Sequence, residues 1–138
     1  MNLLLKYLFL FASGGLLYSL LEMLYRGWTH WTMFILGGLC FTALGLINEV
    51  ISWDMPLWQQ MAIGAGIITG LEFATGCIVN LWLGWGVWDY SRMPGNILGQ
   101  ICPQFFALWM PVSLAGIVLD DWLRYWLFGE ERPHYKII

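Results

Sequence analysis

Charge is what this sequence has least of. Asp, Glu, Lys and Arg make up 11% of its 138 residues, against about 25% in a soluble domain. So few charges cannot coat a soluble surface of this size. There is no basic block and no acidic tail, so nothing points to nucleic acid as a partner. Cysteine is also scarce. Cys40, Cys77 and Cys102 each sit in an apolar segment, with no CxxC pair and no adjacent His. That pattern implies small buried hydrophobes, with neither a disulfide framework nor a metal site. A GxxxxGK[ST] stretch is missing, so nothing supports ATP hydrolysis by this chain. No recognised catalytic motif is present either, and no catalytic residue or cofactor is assigned. Helices one and two share no motif with helices three and four, so the internal symmetry of repeat-built transporters is not seen.

What is abundant is apolar and aromatic surface. Hydrophobic residues make up 59% of the chain and aromatics 17%, with ten tryptophans. Trp collects at membrane–water interfaces. The expected fold class is an all-α integral membrane protein forming one domain over residues 1–138. A span needs about 20 mostly apolar residues. Four stretches qualify: residues 3–25, 31–51, 56–79 and 96–119. The first could pass for a signal peptide, but it is long enough to span and its end is a poor cleavage site, so it reads as a retained helix. Asp54 is placed to cap the third helix, and Pro56 suits its first turn. Pro103 and Pro111 fall inside the fourth helix and would kink it. Residues 80–96 are too polar and glycine-broken for a span, yet Trp82, Trp85 and Trp88 recur every three residues. This segment reads as interfacial or re-entrant. Residues 120–128 read as an amphipathic surface helix. Lys6, Arg124, Arg132 and Lys136 lie on the side of both termini, against Arg26 and Arg92 opposite, which places both termini in the cytoplasm.

One charge lies deep in an apolar run. Glu72 is flanked by Gly70 and Gly76 in the third helix, and intramembrane acids are costly unless they have a task. Helical spacing puts Thr69, Glu72, Thr75, Gly76 and Asn80 on one broad face. The first helix carries Gly14, Tyr18, Glu22 and Arg26 at four-residue intervals, with Glu22 and Arg26 in the favourable order for an ion pair. The fourth carries Asn96, Gln100 and Gln104. The loop adds Asp89, Tyr90, Ser91 and Arg92. All these groups must avoid lipid, and turning them toward a common centre makes an outward-opening polar pocket. The candidate ligand-binding residues are Glu72, Glu22, Asp89, Tyr18, Gln100, Asn96 and Arg92. The plainer reading is internal pairing, with Glu72 bonded to Gln100 or Tyr18 as interhelical glue. Gly66 and Gly70 form a GxxxG for close helix contact, within one chain or between two. Glu49 is a second intramembrane acid, near enough to an interface to be hydrated. His30 reads as an interfacial hydrogen bonder.

Three blocks carry a family likeness. They are Leu71-Glu72-Phe73 with Thr75-Gly76, Val87-Trp88-Asp89-Tyr90-Ser91 with Pro94 and Asn96, and Gly99-Gln100-Ile101-Cys102. Together they resemble the bacterial membrane proteins of the putative ABC-transporter type IV (CmpB-like) family. The likeness is good over residues 60–110 and looser around Gly15, Glu22, Arg26 and Gly27. It implies a bacterial plasma-membrane protein of four to five helices with a transport role, whose ATPase motor would be a separate subunit.

The leading expectation is a small transport or ligand-binding subunit whose partners are the bilayer, a small solute or ion, and a second copy in a homodimer or higher homo-oligomer. The solute would be a cation or a small polar or cationic molecule. Two other classes compete. One is a holin-like or structural oligomer. The other is a membrane-embedded enzyme using an acid with Tyr18, Ser91 or Cys102.

Overall fold

The computed structural model describes residues 2–51 and 54–137, with Asn48 described in its backbone only. The parts of the second turn at Ser52 and Trp53 lie outside the described residues. Four helices follow one another: α1 Leu3–Arg26, α2 Trp31–Val50, α3 Leu57–Gly76 and α4 Pro103–Phe128. A π-helical segment, Cys77–Trp82, prolongs α3. No strand occurs among the described residues. Leu3–Arg26, Leu57–Trp82 and Pro103–Phe128 are long and apolar enough to cross a membrane, while the apolar part of α2, Trp31–Ile47, is shorter.

Local chemistry sets the helix ends. The Leu4 N–H donates to the Asn2 side chain at 2.8 Å. The chain leaves α1 at Gly27 with φ 78°, a left-handed value that costs glycine nothing. His30 opens α2: its Nδ1 accepts the Thr32 N–H at 3.3 Å. Asp54 is not the N-cap residue of α3. The N-cap of α3 is Pro56, with no side-chain cap, and the Leu57 N–H donates to the Lys136 carbonyl at 2.6 Å.

The third helix, expected to end at Val79, turns π-helical after Gly76 and runs on to Trp82, and two further boundaries differ from the sequence reading. The fourth helix starts at Pro103 rather than Asn96. Gly95, Leu98 and Gly99 all have positive φ, which no right-handed helix can contain. Pro103 then sits in the first helical turn, where its missing N–H costs nothing, and only Pro111 is internal. The second correction concerns residues 120–128. They form the last turns of α4, not a separate surface helix, and Asp120, Asp121 and Arg124 are buried.

Small residues bring the helices together. A Cβ on Gly14 would meet the Phe41 ring and, at 2.9 Å, the Gly37 carbonyl; one on Gly15 would meet the Phe34 carbonyl at 2.7 Å. Thus α1 lies almost backbone to backbone on α2. Gly64 gives Leu44 and Ser113 similar room between α3 and its neighbours. The GxxxG of α3 has no such role inside the chain, since Gly66 and Gly70 are exposed and have nothing within 4 Å of a built Cβ. The shared core is Met33, Leu36, Cys40, Leu44, Ala65, Ile68, Trp109 and Ile117 with their neighbours. Leucines along α1, including Leu5, Leu8, Leu16, Leu20 and Leu24, face outward.

Aromatic residues mark both ends of the bundle. At one end His30, Trp31 and Trp85 form a mutual ring cluster with centroids 5.6–5.8 Å apart, and Trp28 covers the Arg26 guanidinium at 3.9 Å. At the other end Trp58 and Trp126 are exposed.

Candidate functional site

Glu72 sits in the middle of the bundle and is 2% exposed. About ten residues separate it from the end of the π-helical segment, or about 15 Å of helix. Both carboxylate oxygens are engaged. Tyr90 Oη donates to Oε2 at 3.1 Å, and Trp109 Nε1 approaches Oε1 at 3.4 Å. Both donors are neutral, and no described ion pair includes Glu72. The pairing expected with Gln100 or Tyr18 is therefore replaced by Tyr90 and Trp109. The Tyr90 ring is held by stacking on Phe105 at 4.7 Å and 10°, and Phe105 in turn leans on Trp109 at 5.9 Å.

A cavity of about 480 Å³ reaches this carboxylate. Its floor is α2 and α3, at Leu36, Gly37, Cys40, Phe41, Leu44 and Ile68. Its walls are α1 at Leu17, Leu20 and Leu21 and α4 at Pro111, Ala115 and Leu119, and most of these wall residues are exposed. Helices α1 and α4 meet through edge-to-face aromatic pairs, Tyr18 with Trp109 near one end of the cleft and Phe9 with Phe128 at the other. The cavity is thus an apolar cleft with one buried acid and one phenol, Tyr18, at its head.

The other residues singled out in the sequence do not converge there. Glu22 pairs with Arg26 at 2.5 Å, and Arg26 Nη1 donates to the Val87 carbonyl at 2.7 Å. Asp89 is exposed and accepts the Ser91 N–H at 2.9 Å; that bond holds its carboxyl below the usual range. Arg92 is exposed. Asn96 braces the loop, donating to the Ser91 and Met93 carbonyls and accepting the Gly99 N–H. Gln100 is buried, and its Oε1 accepts from Asn80 Nδ2 at 2.8 Å. None of these residues lines the cleft. Gln104 is exposed.

Asn80 is the post to which the loop is tied. Its Oδ1 accepts the Val87 N–H at 2.6 Å and the Trp88 N–H at 3.4 Å, while Trp88 Nε1 donates to the Gln100 carbonyl at 3.0 Å. The loop thereby packs beside the last turns of α3 and delivers Tyr90 to Glu72. Asn80→Ala is expected to cost about 1–2 kcal/mol, because Val87 loses its acceptor. Hydrogen exchange should then speed up at Val87 and Trp88 while the first half of α1 is unaffected; unchanged exchange would mean that other contacts hold the loop.

A second polar cluster, at the opposite end, was missed in the sequence. Arg124 is 3% exposed. Its Nε donates to Asp120 Oδ2 at 2.8 Å, its Nη1 to Glu49 Oε1 at 3.1 Å, and it faces Glu130 at 3.7 Å. Glu130 also pairs with Lys6. Tyr135 Oη donates to Asp121 Oδ2 at 3.0 Å; burial and that carboxylate push the phenol above its ordinary range. The Asp120–Arg124 spacing of one helical turn was the available signal.

A sequence model described as Putative ABC-transporter type IV matches residues 3–128. The chain belongs to that family. The match runs from the first residue of α1 to the last residue of α4, and so covers the cleft, Glu72 with its partners, and Glu49, Asp120, Asp121 and Arg124 of the second cluster, but not Glu130 and Tyr135. Family membership and three long apolar helices make this a membrane protein of ABC-transporter type. No curated protein and no solved structure matches the chain.

Proposed function

We propose that this chain is the membrane-embedded, solute-binding subunit of a transporter, with Glu72 as its ligand group. The observation that carries the reading is a carboxylate with only neutral partners, on the wall of a cavity whose volume is typical of small-molecule sites. A carboxylate in that setting suits a cation or a small cationic or polar solute. Tyr18, beside it, offers a further hydroxyl. All four helices cross the bilayer in this reading. The two aromatic ends support it, since Trp28, Trp31 and Trp85 lie at one level and Trp58 and Trp126 at the other. The excess of basic residues beside the termini orients that end to the cytoplasm. The energy source is a separate ATPase subunit.

The experiment is a thermal-shift screen of monovalent cations and small amines on the protein in lipid nanodiscs. A ligand at about a hundred times its Kd stabilises by about 2.7 kcal/mol. Wild type should shift and Glu72→Gln, which keeps shape and hydrogen-bonding capacity, should not. Equal shifts in both proteins would leave Glu72 as an interhelical bond and defeat the proposal.

A further inference from the structure

The cleft has a shape and polarity that a hydrated ion does not need. From Trp109 to Leu119 it follows α4 for ten residues, or about 15 Å. Below Glu72 its lining is apolar apart from backbone. It opens sideways, between exposed leucines of α1 and Pro111 and Ala115 of α4, so its mouth faces the surface that hydrocarbon would touch. Its acid lies toward the Trp28–Trp85 end of the bundle, and its apolar trough runs away from that end. An amphiphile lying in the cleft would have the same sense, with its head at Glu72 and its tail running along α4 across the middle of the bundle.

Charge selects among amphiphiles. Among the described residues, Glu72 is engaged by Tyr90 and Trp109 alone. Arg26, a base at the Trp28–Trp85 end, is committed to Glu22 and the Val87 carbonyl. A phosphate or carboxylate head would meet a like charge, whereas an ammonium head would complete an ion pair in a site with little water.

We infer that the α1–α4 cleft binds a single-chain amphiphile with a protonated amine head, which enters sideways from the bilayer. The inference rests on the reading of Glu72 as a ligand group and adds the class of ligand and its route.

The test uses dodecylamine carrying a diazirine in its tail, photo-crosslinked to the protein in phosphatidylcholine nanodiscs and mapped by peptide mass spectrometry. Labels should fall on the cleft walls, at Leu17–Leu21 and Val112–Leu119. Unlabelled dodecylamine should compete better than dodecanol by about tenfold, the factor that one charge-assisted hydrogen bond supplies. In Glu72→Gln the two should compete equally. Ala115→Trp keeps Glu72 and fills the trough; it should lose the label yet keep the stabilisation by small amines. If propylamine competes as well as dodecylamine, the amphiphile is overturned while the solute-binding reading stands. Label spread evenly over Leu3–Leu8 and the cleft would mean bilayer partitioning only, and would also overturn it. Unchanged labelling in Ala115→Trp, with an altered oligomeric state, would assign the cleft to a second copy instead.

Discussion

Arg124→Met should lower the unfolding free energy by about 3 kcal/mol, the low end for breaking a buried ion pair. The low end applies because Glu49 is 45% exposed and keeps one edge of the cluster wet. The loss comes from what remains behind. Asp120 is fully buried, packed against Gly45 of α2, where no other residue would leave the carboxylate room. Without the guanidinium its charge has no ion-pair partner among the described residues. Glu49 and Glu130 lose the same partner, so α2, α4 and the segment after α4 come apart together. The double variant Arg124→Met/Asp120→Leu removes the charge as well as its partner. Apolar replacement of a whole buried pair is often neutral or favourable, but here Leu must fit against Gly45, so about half the loss should return. Reversible unfolding in mixed micelles measures both. If the double variant is no more stable than the single one, the Asp120–Arg124 pair is not what holds this end.

Gly14→Leu should cost about 3 kcal/mol, near the top of the usual range for overpacking. Most overpacked sites relax by rotating a side chain. At Gly14 the obstacle includes the Gly37 carbonyl, 2.9 Å from a built Cβ, as well as the Phe41 ring. Backbone can yield only by separating α1 from α2. Tyr18, one turn further on, would move with α1, and its ring already lies against Gly37. The variant should therefore unfold earlier and also disturb the cleft near Glu72. Gly66→Leu, by contrast, meets nothing within 4 Å and should unfold like wild type. Equal losses at Gly14 and Gly66 would show that the effect is not the α1–α2 contact.

The first three helices were legible because a long apolar run bounded by polar turns leaves little choice in a membrane. The start of the fourth was not. Ile97 and Leu98 continue the apolar run in composition, and nothing in the letters reveals that Leu98 has φ 53°. Its end was misjudged for a related reason. Asp120, Asp121 and Arg124 look like residues for water, and their burial depends on Glu49, Glu130 and Tyr135, which are distant in sequence. Glu72 could be read as a buried acid from its apolar surroundings. Its partners could not. Trp109 looked like one more apolar ring, and Tyr90 reaches the carboxylate only because Asn80 and Phe105 steer the loop. The assumption that polar residues in one half of the bilayer seek one another failed for Asp89, Arg92 and Asn96. They had a local alternative, the loop's own backbone.

The bond from Leu57 N–H to the Lys136 carbonyl also bears on how the protein is made. Ribosomal synthesis runs from residue 57 to residue 136, so the residues of α3 are made well before the acceptor of its opening amide. During that interval water at the interface must serve. The late segment, with Pro133 buried and Tyr135 on Asp121, then acts as a closing clasp. This end is therefore completed last, and a bulky reporter fused near residue 136 is expected to perturb the contacts of Leu57 and Asp121 with it.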